Sequence, residues 1–466
     1  MPVSAPLPQP SSYRWPATLR AVLRNGRLAW RAVRDGDQSI LINTLLDLAR
    51  AAEHPDAYVL DTRPVGPALL VVYSAEGLRA LGSCAAIDKR PTGGIAIAVS
   101  GQRDAYEGIM GMATDGPYAA QIELVDAVIK RVQRGLKRAV QRRVAEHLAP
   151  PCEFTTRQVQ YLTASVILDQ FFPAHAWTRA AITETIDALE HNSEVIGPLM
   201  QTIAMRGLDP TTVLAHRDHP GVVARYEGLL GPLAEEERAA VSRGDGERDV
   251  GLITQLEREG TAWPDIKALV TTFVAASYET VSSTLTEWVY QVSASPSTWR
   301  ALQDAEGNER RRRIQASIYE AVRIATPLPI LLRQAERACE LDVEASPEHG
   351  GRRSLAIERG QLILGLNLAP LLDPAVFPDP LRMRLELDPT QRDRIRLAWG
   401  LEARERSGAP NRFCQGFHYS IALMTATIER LLDDYAAPKL VQDSPIVMLG
   451  TRARRRFVAQ LRPRAS

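Results

Sequence analysis

A mainly α fold with a minor β portion is predicted by three features of the 466-residue sequence. Apolar residues recur at helical spacing through most of the chain between Leu78 and Ile324. One stretch keeps that period unbroken from Gly260-Thr261 to Ser295-Pro296, long enough to cross the whole molecule. The β-type segments are short, few and bounded by Gly and Pro. No internal repeat and no sharp shift in composition divides the chain. It reads as one domain over residues 17–466, preceded by a mobile Pro-rich arm over 1–16.

Taken in order, Leu23, Leu28 and Val33, then Ile40, Ile42, Leu45, Leu46 and Leu48, predict two helical pieces broken at Asp35-Gly36-Asp37. A hairpin is expected where 58–60 and 68–73 flank Pro64, Gly66 and Pro67. In the long helix Thr261 is positioned to cap the first turn and Pro264 to sit inside it. Ile266, Leu269, Val270, Phe273, Val274, Val281, Leu285, Trp288 and Val289 then carry the period over roughly 40 to 45 Å. A second helix over 309–324 leads into strands over 330–334, 339–343 and 361–364, with Gly350-Gly351 and Gly360 at turns. A third helix over 417–432 places Ile421, Met424, Ile428 and Leu431 on one face. The segments 85–111 and 147–220 carry no readable pattern.

Charge and composition exclude several classes. Lys+Arg 56 against Asp+Glu 55 leaves a net charge of +1, without the basic excess of a nucleic-acid binder, and 45% hydrophobic residues exceed what a disordered chain carries. Cys84, Cys152, Cys339 and Cys414 are too scattered for a disulfide framework, and none forms a Cys-x-x-Cys pair, so a reducing, cytoplasmic setting is expected. Nowhere do about 20 apolar residues run together, so no membrane anchor is expected.

Three local features could carry chemistry. Cys414 stands in Arg412-Phe413-Cys414-Gln415-Gly416 at the start of the third helix, where the helix N-terminus favours a thiolate and Gly416 admits a flat partner. Such a thiolate suits an axial ligand to haem iron, although a lone cysteine near a helix start is more often a small buried apolar residue. Glu320 and Arg323, at i and i+3, can pair on one helix face; most such pairs are weak surface contacts. Glu279-Thr280 interrupts the apolar long helix after Ala275, Ala276 and Ser277. A threonine there commonly bonds back to its own helix, but an acid and an alcohol beside small residues also describe a notch where a ligand sits and protons arrive.

These elements, in this order, resemble the cytochrome P450 family. Pro327, Arg333, Gly360, Asp373-Pro374, Phe377 and Asp379-Pro380-Leu381-Arg382 extend the match. The resemblance implies a cytochrome P450 fold with the long central helix over the distal haem face, and haem b held by the Cys414 thiolate as iron ligand. It assigns Arg412, Arg333 and Gly416 to haem binding, and Glu320, Arg323 and Arg382 to a buried structural triad. It makes Thr280 and Glu279 the catalytic alcohol and acid, and Phe273, Ala276, Pro327, Leu328, Ile330 and Leu331 the substrate pocket.

The implied activity is that of a monomeric monooxygenase. It oxidises a small organic substrate, by family habit a secondary-metabolite precursor, with electrons from a ferredoxin or flavoprotein. Arg392, Arg394, Arg396, Arg404 and Arg406 are candidates to dock that donor. Two alternatives are a haem-thiolate isomerase, dehydratase or peroxygenase that needs no redox partner, and a haem-binding docking protein without turnover.

The chain departs from the family pattern in three places. Ser407 and Pro410 stand where the cysteine loop usually has Phe and Gly, and Trp399-Gly400 is the nearest match, so the loop carries an insertion of about eight residues. Ala119 and Glu123 occupy the positions where His and Arg commonly bind propionate, after Asp115-Gly116-Pro117. Ser277 replaces a frequent glycine. A lengthened loop also marks members that rearrange hydroperoxides, but those typically lack the acid and alcohol kept here. His418 is read as packing or solvent-facing, and the run Arg452, Arg454, Arg455 and Arg456 as a solvated strand edge.

Overall fold

The computed structural model describes residues 12–14, 39–52, 54–61, 68–88, 118–148, 152–190, 219–243, 251–344, 351–401, 412–443, 446–449, 452–454 and 456–464. Its helices are α1 (Ser39–Ala51), α2 (Ala75–Ser83), α3 (Tyr118–Val132), α4 (Leu136–His147), α5 (Thr156–Phe171), α6 (His219–Ser242), α7 (Leu252–Arg258), α8 (Trp263–Ala294), α9 (Pro296–Gln303), α10 (Gly307–Ile324), α11 (Leu368–Leu371), α12 (Pro389–Arg396) and α13 (Phe417–Asp434). Residues 179–190 are also helical.

The long helix forms where its apolar period predicts. α8 spans 32 residues, about 48 Å at 1.5 Å per residue. Its start differs in one respect: the cap position is Ala262, which makes no side-chain cap bond, so Thr261 does not cap it, whereas Pro264 does sit in the first turn. α8 packs against α5, α7, α9, α10 and α13, so most of its circumference is covered. The Trp288 indole N–H donates to Ser317 Oγ at 2.9 Å and ties α8 to α10.

α5 lies inside the segment that shows no pattern in sequence. It is buried on nearly every side, between α4 and α8, so it has no polar face to produce an amphipathic period. Its start is marked instead by a capping box in which Thr155 and Gln158 satisfy each other's backbone N–H groups.

The minor β portion centres on a six-stranded sheet of order β1-β2-β3-β9-β6-β4. Its strands are β1 (Ser12–Arg14), β2 (Ala57–Asp61), β3 (Ala68–Val72), β4 (Ile87–Asp88), β6 (Leu331–Ala335) and β9 (Leu362–Gly365). β2 and β3 form the expected hairpin, with Ala57 opposite Val72. Ser12–Arg14, expected in the mobile arm, pairs instead in parallel with 59–61. β3 lies parallel to β9, with Leu69 opposite Leu362, so early and late chain segments share one sheet. The turn before β9 needs φ +79° at Gly360, a conformation that favours glycine.

Smaller sheets pair β7 (Cys339–Glu344) with β8 (Arg352–Ile357), β5 (Cys152–Thr155) with β15 (Phe457–Leu461) and β12 (Lys439–Asp443), and β13 (Val447–Leu449) with β14 (Arg452–Arg454). Helix-borne apolar residues form the main core, and separate clusters lie on the two faces of the six-stranded sheet. Among the described residues no helix is long and apolar enough to cross a membrane. Residues 1–11, the first of the two N-terminal helical pieces, Asp115–Pro117, Arg404, Arg406, Ser407 and Pro410 lie outside the described residues, as does the Ala119 side chain.

Candidate active site

The cysteine loop is held from both ends. β10 (Gly400–Leu401) pairs with β11 (Arg412–Phe413), and the Cys414 N–H donates to the Trp399 carbonyl at 2.9 Å. This return is possible because Gly400 takes φ +114°, where a side chain is strained. Beneath the loop the rings of Phe413, Trp399 and Tyr319 surround Phe417, with centroids 5.1 to 6.5 Å away. The Arg396 guanidinium lies over Phe413 and Phe417 at 4.9 and 5.7 Å. That stack was not legible in the sequence, and it makes Arg396, one of the docking candidates, also a brace of the loop. Arg394 approaches Glu76 at 3.6 Å, while Arg392 stays exposed.

The Cys414 side chain lies deep among protein atoms yet opens onto accessible space. Burial pushes its thiol up to about 11, opposed by hydrogen bonds from the Gly416 and Phe417 N–H groups. The helix start therefore supplies donors, but desolvation outweighs them. Gly416 has φ −80°, so its backbone does not require glycine. A Cβ built there meets only Cys414 Sγ, at 3.8 Å, so the missing side chain keeps the space beside the sulfur clear.

α8 is open along one face at its middle. Val274, Ala275, Tyr278 and Val281 are buried, whereas Ala276 is exposed and Phe273, Ser277 and Thr280 are partly exposed. Positions 273, 276, 277 and 280 follow the i, i+3, i+4, i+7 spacing of a single helix face. α8 packs on α13, which begins three residues after Cys414. Thr280 Oγ1 donates to the Ala276 carbonyl at 2.8 Å, the local bond expected of a mid-helix threonine, and its oxygen keeps acceptor capacity. Glu279 is partly exposed. Leu328 is 38% exposed and Ile330 and Leu331 are half-buried, while Pro327 is buried.

On α10, Glu320 and Arg323 are both fully buried and joined by two bonds, Nε to Oε1 at 2.7 Å and Nη2 to Oε2 at 2.9 Å. Arg323 also donates to the carbonyls of Leu371 and Pro380, and lies 4.5 Å above the Phe377 ring. The expected third side chain does not join them. Arg382 is exposed, and its carbonyl accepts from Arg323 Nη2 at 3.3 Å; the Arg384 N–H completes Glu320. The carbonyl suffices because the guanidinium needs acceptors, and a second buried cation would add repulsion.

Arg333 is buried in β6 and donates to the Leu332 carbonyl at 2.8 Å. Arg412 is placed in β11, but its side chain lies outside the described residues. Glu123 is exposed on α3, and His418 is exposed with its ring against Phe417. A cavity of about 850 Å³ lined by Arg131, Arg134, Arg138, Arg142, Arg258 and Asp169 shares no residue with this site.

The donor set fits a haem better than a bare ion. Among the described residues no three His, Cys, Asp or Glu gather as metal ligands, so iron at Cys414 needs its remaining ligands from a macrocycle. The cleared space beside the sulfur and the open face of α8 suit a flat group.

The family model described as Cytochrome P450 matches residues 121–386, more than half of the chain. That span holds Glu279, Thr280, Glu320 and Arg323 and ends before Cys414. Among solved structures, the cytochrome P450DA heme domain is similar at TM-score 0.68 and 16% identity, covering 91% of this chain and 93% of that one. P450 OxyD, described as involved in the biosynthesis of vancomycin-type antibiotics, is similar at TM-score 0.61 and 15% identity, covering 91% and 96%. At these identities the likeness shows the fold. No curated protein sequence matches the chain.

Proposed function

Because the chain belongs to the cytochrome P450 family, whose proteins bind haem b through a cysteine thiolate, we propose that it oxidises a small apolar substrate with O2 and electrons from a separate protein donor. The observation that carries this reading is the accessible Cys414 thiol at the start of α13 combined with the open middle face of α8.

Bound haem supplies the reductive activation of dioxygen and the oxygen transfer. The protein's residues do the rest. Cys414 would hold the haem iron through its sulfur, to which the Gly416 and Phe417 N–H groups donate. Arg333 and Arg412 are assigned to the propionates. Thr280 offers a hydroxyl at the open face, and Glu279 is the acid that replenishes its proton. Successive helix residues point about 100° apart, so Glu279 delivers through a water rather than by direct contact with Thr280. Phe273, Ala276, Leu328, Ile330 and Leu331 form an apolar wall that orients substrate and excludes bulk water, with buried Pro327 holding their backbone. A precursor of a secondary metabolite is the proposed substrate class, in keeping with the role described for OxyD.

In the reduced, carbon monoxide-treated protein a red-shifted carbonyl band is expected that disappears in Cys414→Ala. Its absence from the wild type overturns thiolate ligation. Thr280→Ala should keep consuming reductant while product per electron falls about 10²-fold and hydrogen peroxide accumulates. Turnover with peroxide alone, and never with NAD(P)H plus a surrogate ferredoxin system, overturns the need for a donor.

A further inference from the structure

Two cysteines that the proposed chemistry does not use meet in the fold. Cys84 is the C-cap of α2 and Cys339 the first residue of β7, 255 positions apart, yet their Sγ atoms lie 3.6 Å apart. Both side chains are partly exposed, so a small reagent can reach them. Each sits on an element fixed by its own local contacts, and the two elements pack on each other. α2 is capped by Ser74 and buried through Ala75, Leu78 and Leu81, and β7 pairs with β8 from Cys339 opposite Ile357 to Glu344 opposite Arg352. The sulfurs therefore face each other because α2 packs directly on β7. A disulfide requires about 2.05 Å, so they must close by roughly 1.5 Å, within reach of side-chain rotation.

We propose that Cys84 and Cys339 form a peroxide-responsive dithiol, a modification site that closes reversibly to a disulfide between α2 and β7. The oxidant is hydrogen peroxide, which an oxygen-reducing haem protein releases when electron delivery and substrate oxidation uncouple. Only that internal source rests on the proposed function; added peroxide serves equally well.

The reaction balances in two steps. The Cys84 sulfur attacks one peroxide oxygen, the O–O bond breaks, and water leaves with the thiol proton, giving a sulfenic acid. The Cys339 sulfur then attacks the Cys84 sulfur, the S–O bond breaks, and the second water leaves with the Cys339 proton. Two thiols lose two electrons in all, and one peroxide becomes two waters. Burial and the neighbouring Cys84 push the Cys339 thiol up, which disfavours it as the sulfur that attacks peroxide first. The location gives the bond a consequence: α2 packs on β10, whose partner β11 leads into Cys414. Closure therefore braces the platform under the cysteine loop.

The test treats the haem-loaded protein with stepwise hydrogen peroxide and follows intact mass, free thiols and peptide linkage. The expected result is a loss of two hydrogens, a fall from four thiols to two when they are counted after unfolding, a Cys84–Cys339 cross-linked peptide, and full reversal by dithiothreitol. Cys339→Ser should instead trap a sulfenic acid on Cys84 that dimedone labels, and Cys84→Ser should show neither product. The proposal is overturned if the wild type reaches haem bleaching with Cys84 and Cys339 both still reduced, or if the two-hydrogen loss persists undiminished in Cys84→Ser. Repeating the titration with Cys414→Ala separates it from the proposed function. The dithiol still closes there, whereas monooxygenase turnover does not survive.

Discussion

Glu237 shows how far one residue's environment can move its chemistry. The carboxyl is 3% exposed, and a Cβ built on Gly251 would lie 2.7 Å from its Oε1. Its partner is the Ala174 N–H at 2.9 Å, too little to offset desolvation, which raises its pKa from the usual 4.5 to about 6. A carboxyl raised by folding holds its proton in the native state after the unfolded chain has released it. Stability is therefore lost as pH rises from about 4.5 to about 6 and stays reduced above that, by on the order of 2 kcal/mol. Glu237→Gln keeps the acceptor for Ala174 and removes the charge. It should raise the denaturation midpoint at pH 7, do little at pH 4, and flatten the profile between. None of this was legible in sequence, where Glu237 reads as one acid in the run Glu235, Glu236, Glu237. Glu320 and Arg323 show the opposite case: helical spacing pairs them and the family resemblance buries them, and only the fold reveals that Arg382 contributes a carbonyl rather than its side chain.

At the scale of elements, legibility follows exposure pattern. α10 and α13 were read within a few residues because each has an apolar stripe, and α8 because its apolar period runs unusually far between a Gly-Thr start and a Ser-Pro stop. α5 was missed because burial all round erases the stripe, leaving its cap as the signal. The caps of α5 and α8 predict opposite responses. Thr155→Ala removes an oxygen that accepts the Gln158 N–H and should cost about 1 kcal/mol. Ala262 already has the extended geometry of a cap, φ −66° and ψ 145°, without an acceptor atom. Ala262→Ser should therefore stabilise the protein by up to about 1 kcal/mol. Both are read from shifts in urea midpoint at unchanged slope.

For the whole molecule, the open question at the sequence level was how a hairpin near residue 60 joins a helical body that begins its recognisable motifs after residue 260. Local patterns cannot answer it, because pairing between distant strands leaves no spacing to read. The answer is the parallel contact of β3 with β9 and a buried lock behind it. Asp56 and Arg353 lie 297 positions apart, with Nε 2.7 Å from Oδ2 and Nη2 2.8 Å from Oδ1; Asp56 is fully buried and Arg353 is 6% exposed. Ser74 Oγ donates to the same carboxylate at 2.6 Å, so the cap of α2, the hairpin and β8 converge on one charge. Removing that charge strands a guanidinium inside the protein. Asp56→Ala should accordingly lower stability by about 3–5 kcal/mol. Arg353→Met in the same chain should restore a substantial part of the loss, since it removes the uncompensated cation and refills its volume. The cycle is read by chemical denaturation of the four proteins. If the double variant is no more stable than Asp56→Ala, the Asp56 carboxylate acts through Ser74 and the hairpin alone, and the long-range lock is not what holds the hairpin to β8.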